Sequence, residues 1–364
     1  MKGEENSIPP ELEKQIQDYT QYLFNTGKVW QSENLEEEVF NYLDRGQSGT
    51  YVDKLSTRFA QIWAIYYRLG RFLEADKFWD FPLNLYAKWE ASNNKTLARG
   101  TPYYFKGMSA VAYRNIDRGF LFFHQAVEDD FNEGFRPHKK GGSHSPAWLF
   151  VTFGYLDPRQ AAGQLLRQRV NWLNRIISKY QNSDRGALSL ESLSEKVEVE
   201  TQLVETIFSF TYNVFRSEDL LSYLKELRPG RFRFASQLAL DILFSLCRIG
   251  EVWLTKKQGK DKGFLNAQLE EFFKNHYSRI IGNDLGTYNN SCKNDFEGCL
   301  KMLLNNEQVL SPKNTEPWES DLILIYVLRN EAGHAATSSD ILNARFEELL
   351  ERVFFGLFKI IEAL

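Results

Sequence analysis

With 364 residues the chain is long for one compact core, so two domains are expected. Hydrophobic residues at 43% and charged residues at 25% are ordinary for a globular protein, and the 15% of aromatics reads as filling between helices. A net charge of -4 excludes a protein that coats nucleic acid through a broad basic face, yet it leaves room for one that engages a few nucleotides in a local cleft.

The three cysteines, Cys247, Cys292 and Cys299, are too few for a disulfide framework. The spacing of the last two fits no zinc ligand pair, so all three are expected to be thiols in a reducing compartment. The opening MKGEENSIPPELEK is polar and acidic, unlike a signal peptide. No apolar run approaches the roughly 20 residues that cross a bilayer. A cytoplasmic protein with no membrane contact is the expectation.

Helical periodicity dominates and hairpin signals are scarce, which predicts an all-α fold. From about Ser56 to Asp130 the pattern describes two helical hairpins. The first carries Phe59, Trp63, Tyr66, Gly70, Ala75 and Trp79; the second carries Tyr103, Gly107, Gly119, Phe123 and Ala126. Small residues let two helices approach, and aromatics fill the groove between them. These positions resemble those of tetratricopeptide repeats, although the two units are about 44 residues apart and not the family's usual 34. The resemblance implies a scaffold or regulatory region over residues 1–155, suited to a protein partner.

The stretch Arg136-Pro137-His138-Lys139-Lys140-Gly141-Gly142-Ser143-His144 reads as a solvated linker. Connecting helices are expected over 156–230. One begins near Asp157 and Pro158 and carries Leu165, Leu166, Trp172, Leu173, Ile176, Ile177 and Tyr180 on its apolar face, with Arg167, Arg169 and Arg175 between them. Turn-forming, basic breaks follow at 228–231 and 256–262. Their neighbourhood supplies Arg231, Arg233, Lys256 and Lys257 as candidate RNA contacts.

Residues 231–364 read as a helical bundle, with helices near 232–255, 264–280, 294–306, 317–332 and 339–363, joined by short connections that favour antiparallel neighbours. The fourth is strongly apolar after Pro317, with Glu316, Glu319 and Asp321 placed to complement its positive end. It ends in Tyr326-Val327-Leu328-Arg329-Asn330-Glu331-Ala332-Gly333-His334. The bare Arg-x4-His spacing is common by chance. Asn330, the apolar helix before it and the amphipathic helix after it make it specific.

This constellation resembles the signature of the HEPN superfamily, an Arg followed by four to six residues and a His, late in an all-helical bundle. The resemblance implies a metal-independent endoribonuclease acting on single-stranded RNA with no cofactor, of the kind found in prokaryotic defence, toxin and CRISPR-associated systems. It implies Arg329, His334 and Asn330 as catalytic residues. A His serves as acid or base near neutral pH, and an Arg fork stabilises charge on a phosphate. On one regular helix, residues five apart are turned by about 140°, so Arg329 and His334 do not share a face. The resemblance therefore also implies a homodimer through the C-terminal bundle, with one composite site. The alternative from another class is a non-catalytic helical-repeat scaffold, or a nucleotide-binding interaction protein, that dimerises through that bundle. His124 and His276 read as structural and surface residues.

Overall fold

A computed structural model describes residues 8–26, 33–45, 49–134, 145–154, 159–226, 233–258, 265–277, 285–288, 290, 292, 295–305, 316–331 and 340–363. Among the described residues the regular structure is entirely helical, as the periodicity requires. None of these helices is long and apolar enough to cross a membrane. The chain divides into two compact units: residues 1–151 with 155–165, and residues 152–154 with 166–364.

The first unit contains α1 (Pro10–Thr26), α2 (Glu33–Asp44), α3 (Gly49–Arg68), α4 (Phe72–Phe78), α5 (Asp80–Asn93), α6 (Gly100–Ala112), α7 (Ile116–Asn132) and α8 (Pro146–Val151). The α3–α4 hairpin turns at Gly70, whose φ of +72° favours a residue without a Cβ. Phe59, Trp63, Tyr66, Ala75 and Trp79 are all buried there. The α6–α7 pair is the closer. A Cβ on Gly107 would lie 2.6 Å from the ring of Phe123, and one on Gly119 would lie 2.5 Å from Val111. Only glycine lets the two backbones meet at this separation. A buried charge inside the unit is paired: Lys106 reaches Asp76 at 2.8 Å and Asp80 at 2.6 Å, and Tyr113 donates to Asp76 at 3.0 Å.

The second unit contains α10 (Leu190–Glu198), α11 (Val204–Glu226), α12 (Arg233–Lys257), α13 (Leu265–Tyr277), α14 (Phe296–Leu304), α15 (Pro317–Glu331), α16 (Asp340–Ala344) and α17 (Phe346–Ala363). The long helix α9 (Ala161–Asn182) belongs to this unit from Leu166 onward. The last helical stretch breaks at a turn at Arg345, whose guanidinium is drawn onto Glu348 at 2.6 Å. The helices between 166 and 226 do more than connect: α11 packs along α12, and Asn213 donates to Ser245 at 2.9 Å between them.

Arg169, set between the apolar positions of α9, is itself buried over the ring of Phe215, 2.6 Å from Asp219 and 3.4 Å from Glu218. One expectation is corrected. Cys292 and Cys299 are not free thiols. They form a disulfide with their Cα atoms 5.4 Å apart, within the range a bridge requires. Cys247 remains free and buried.

Candidate active site

The site grows from α15. Asp321 through Leu328 are all buried, so this helix is enclosed on every side and is the central rod of the second unit. Arg329 and Asn330 are the first residues after that run to reach the surface. They mark where the rod emerges.

The helix is held in place by charge and by close packing. Asp321 is fully buried, and Arg185 donates Nε to its Oδ2 at 2.6 Å while Arg352 donates Nε to its Oδ1. Arg352 also donates to the carbonyls of Leu304 and Leu303 at 3.1 and 3.2 Å. Burial pushes the Asp321 carboxyl upward, and the two guanidiniums pull it back. Asp321 therefore does more than complement a helix dipole. It is the centre of a buried network joining α15, α17 and the segment between α9 and α10. Two glycines bring the neighbours close. A Cβ on Gly356 would stand 2.6 Å from Ile325, and one on Gly250 would stand 3.1 Å from Leu357 and 3.9 Å from Ile325.

Gly250 precedes the next contact along α12. The residue after it on α12, Glu251, receives the Arg329 guanidinium as a two-point ion pair, Nε to Oε2 at 3.1 Å and Nη2 to Oε1 at 3.0 Å. The carboxylate is the more deeply set, with side-chain exposures of 13% for Glu251 and 29% for Arg329. Asn330 turns its carbonyl oxygen toward Arg329, accepting from Nη1 at a long 3.4 Å. Arg248, one turn before Glu251, approaches the same Oε2 with its Nε at 3.7 Å. On the inner face of α12, burial first and the Glu251 charge second push the Cys247 thiol up, which keeps it an inert thiol.

The other expected residues are placed as follows. His334 and Arg231 lie outside the described residues, as does the side chain of Arg233. Lys256 is exposed and Lys257 is not in a loop: α12 continues through both. The Lys257 ammonium is engaged by Glu200, which removes it from the free cations available to a polyanion. The structure thus brings Arg329 and Asn330 together and leaves Lys256 separate. His124 lies 3.6 Å from Glu128, and His276 is exposed and packs against Phe272. The linker histidines His138 and His144 are outside the described residues.

Sequence reasoning missed Glu251 and Arg248. A signal was present: both interrupt the otherwise apolar run Leu246-Cys247-Arg248-Ile249-Gly250-Glu251-Val252-Trp253-Leu254, and a carboxylate half-sunk in such a run needs a partner. Which cation serves it is a tertiary fact.

Among the described residues no group of three or more His, Cys, Asp or Glu side chains could hold a metal ion. A groove of about 150 Å³ between α9, α11 and α17 is lined by Trp172, Ile176 and Leu221. Its cations Arg175, Lys179 and Lys225 are matched by Glu218, Glu347 and Glu351, so its rim has no excess of positive charge to favour a polyanion. Comparison of the chain with protein-family models, curated proteins and solved structures finds no match.

Proposed function

We propose that the protein is a metal-independent endoribonuclease for single-stranded RNA, with Arg329, His334 and Asn330 at its centre. The observation that supports the reading best is the presentation of Arg329. It stands where a buried helix emerges, Glu251 holds its Nε–Nη2 edge, and the end formed by Nη1 and Nη2 keeps donors for a ligand. An Arg fork held in this way suits a phosphodiester, because it binds two non-bridging oxygens with little further loss of freedom.

In the proposed reaction His334, or its copy in a second chain, accepts the proton of a 2′-hydroxyl. The 2′-oxygen attacks the adjacent phosphorus, and the bond to the 5′-oxygen breaks as that oxygen gains a proton. Arg329 stabilises the charge that builds on the phosphoryl oxygens. The products are a 2′,3′-cyclic phosphate and a 5′-hydroxyl. The chain is read as HEPN-like in its C-terminal part and repeat-like in its N-terminal part, a defence or toxin effector whose N-terminal helices dock a partner and whose C-terminal bundle makes a homodimer.

The test is cleavage of labelled single-stranded RNA in EDTA by the wild type, Arg329→Ala and His334→Ala. The expected result is EDTA-resistant cutting with cyclic phosphate ends, reduced about 10²–10⁴-fold in each variant, the range for loss of an acid–base group or an oxyanion donor. Cutting that both variants retain removes these residues from the reaction.

One observation favours the second reading, a non-catalytic scaffold. The Arg329–Glu251 pair braces α12 against the last turn of α15, where a cation also complements the helix dipole, and that role needs no substrate. A wild type that neither cuts nor binds RNA supports it.

A further inference from the structure

The fully formed cluster at the end of α15 contains one carboxylate and two guanidiniums, from Glu251, Arg329 and Arg248. Arg329 takes both carboxylate oxygens on its Nε–Nη2 edge, at 3.1 and 3.0 Å. Arg248 comes to 3.7 Å of Oε2, beyond hydrogen-bond distance, and its side chain is 53% exposed. Glu251 is 13% exposed, so the negative charge lies at the base and the two positive charges lie outward. Two cations and one anion leave a formal charge of +1, which matches the single negative charge of one phosphodiester.

From this geometry we infer that Arg248 is a second phosphate-binding residue of the site, acting beside Arg329, with Glu251 anchoring Arg329 and attracting the Arg248 charge to the same place. The inference deepens the ribonuclease reading and rests on it. The ligand is a phosphodiester of single-stranded RNA. The outward end of Arg329 and the free donors of Arg248 come from two different helices, so they can take two non-bridging oxygens of one phosphate, or one oxygen each of adjacent phosphates. Arg248 lies on α12 and Arg329 on α15, two helices that pack against each other, so both guanidiniums come to one carboxylate. Lys256 lies eight residues beyond Arg248 on the same helix, about 12 Å further along its axis, too far to serve the same phosphate.

The experiment measures binding of a fluorescent 12-nucleotide 2′-O-methyl RNA, which lacks the attacking hydroxyl, to the full chain over a range of salt. Cleavage of the all-ribose strand in EDTA is followed in parallel. Arg248→Ala is expected to weaken binding about tenfold and to reduce the slope of log Kd against log salt by about 0.7, the loss of one contact to a single strand. Arg248→Lys should restore the slope but only part of the affinity, because it keeps the charge and loses the fork. Lys14→Ala, at an exposed position of α1, is the control and should bind as the wild type does.

If the wild type binds and Arg248→Ala matches it in affinity and slope, the role of Arg248 is overturned while the ribonuclease reading stands. Should binding follow the expected pattern without any Arg329-dependent cutting, the phosphate site stands and the ribonuclease reading falls. Absence of wild-type binding at every salt concentration overturns both.

Discussion

Arg329 illustrates how a residue's function depends on what it is paired with. An arginine in the last turn of a helix is ordinary, and its charge alone says little. The two-point contact with Glu251 changes that, because it restrains the planar group in one plane and leaves its other end to a ligand. Asp130 makes the complementary point in the first unit. It is buried against Gly100, and burial pushes its carboxyl up to about 7. The sign of the consequence follows from proton uptake. Between the unfolded value near 3.8 and the folded value near 7, the folded chain binds a proton that the unfolded chain has released. This group's favourable contribution is therefore complete below about pH 4 and is lost as pH rises toward 7. Asp130→Asn should gain stability over the wild type by on the order of 1 kcal/mol per pH unit across that window and then level off. Urea denaturation of both proteins from pH 4 to 8 measures it. A difference that stays flat with pH would show that the buried carboxyl does not titrate there.

At the scale of the element, α15 owes its place to three devices at once. Its middle is apolar on every face, so it is stable only when enclosed. Gly356 brings α17 up to it, Gly250 lets α12 pack closely on α17 beside it, and the Asp321 network joins it to Arg185 and Arg352. Removing one partner of a buried ion network leaves uncompensated charge, which costs about 3–5 kcal/mol. Asp321→Ala is therefore expected to destabilise the second unit by that amount, read as a shifted midpoint in chemical denaturation followed by tryptophan fluorescence. A loss under 1 kcal/mol would mean that water reaches both guanidiniums. Asp321 is eight residues before Arg329, so the network also sets the orientation of the helix end that carries the site. The α6–α7 pair obeys the same packing logic with glycines and no ions: Gly107 and Gly119 face each other's helix, and Phe123 fills the space beside them.

For the whole molecule, each unit has its own core, and the candidate site belongs to the second. The proposed chemistry needs Arg329 and His334 together, and one regular helix would set them about 140° apart. A composite site from two chains meets that need and makes activity depend on assembly. Specific activity in the ribonuclease assay should then fall as the protein is diluted through its dimer dissociation constant. Sedimentation should show the monomer appearing over the same range. Specific activity independent of concentration, with a monomer in the centrifuge, would place the complete site within one chain.

Much of this was legible before any coordinates. The all-α class followed from spacing, because apolar residues recurring every three or four positions have only one regular structure that buries them. The glycines of α6 and α7 and the place of Arg329 at the end of an apolar helix are local facts, and local patterns carry them; the left-handed backbone at Gly70 came only with the structure. The disulfide, the buried Arg169, the Asp321 network and the Glu251–Arg329–Arg248 cluster are of another kind. Each joins residues whose meeting depends on how the chain packs, from a sequence separation of 7 for Cys292 and Cys299 to one of 78 for Glu251 and Arg329. Periodicity tells which face of a helix turns inward, but not which neighbour it will meet. Helical spacing and the Arg329 motif could be read along the chain; which charges share the Glu251 carboxylate was decided by the packing of α12 against α15, because the pair joins residues 78 positions apart.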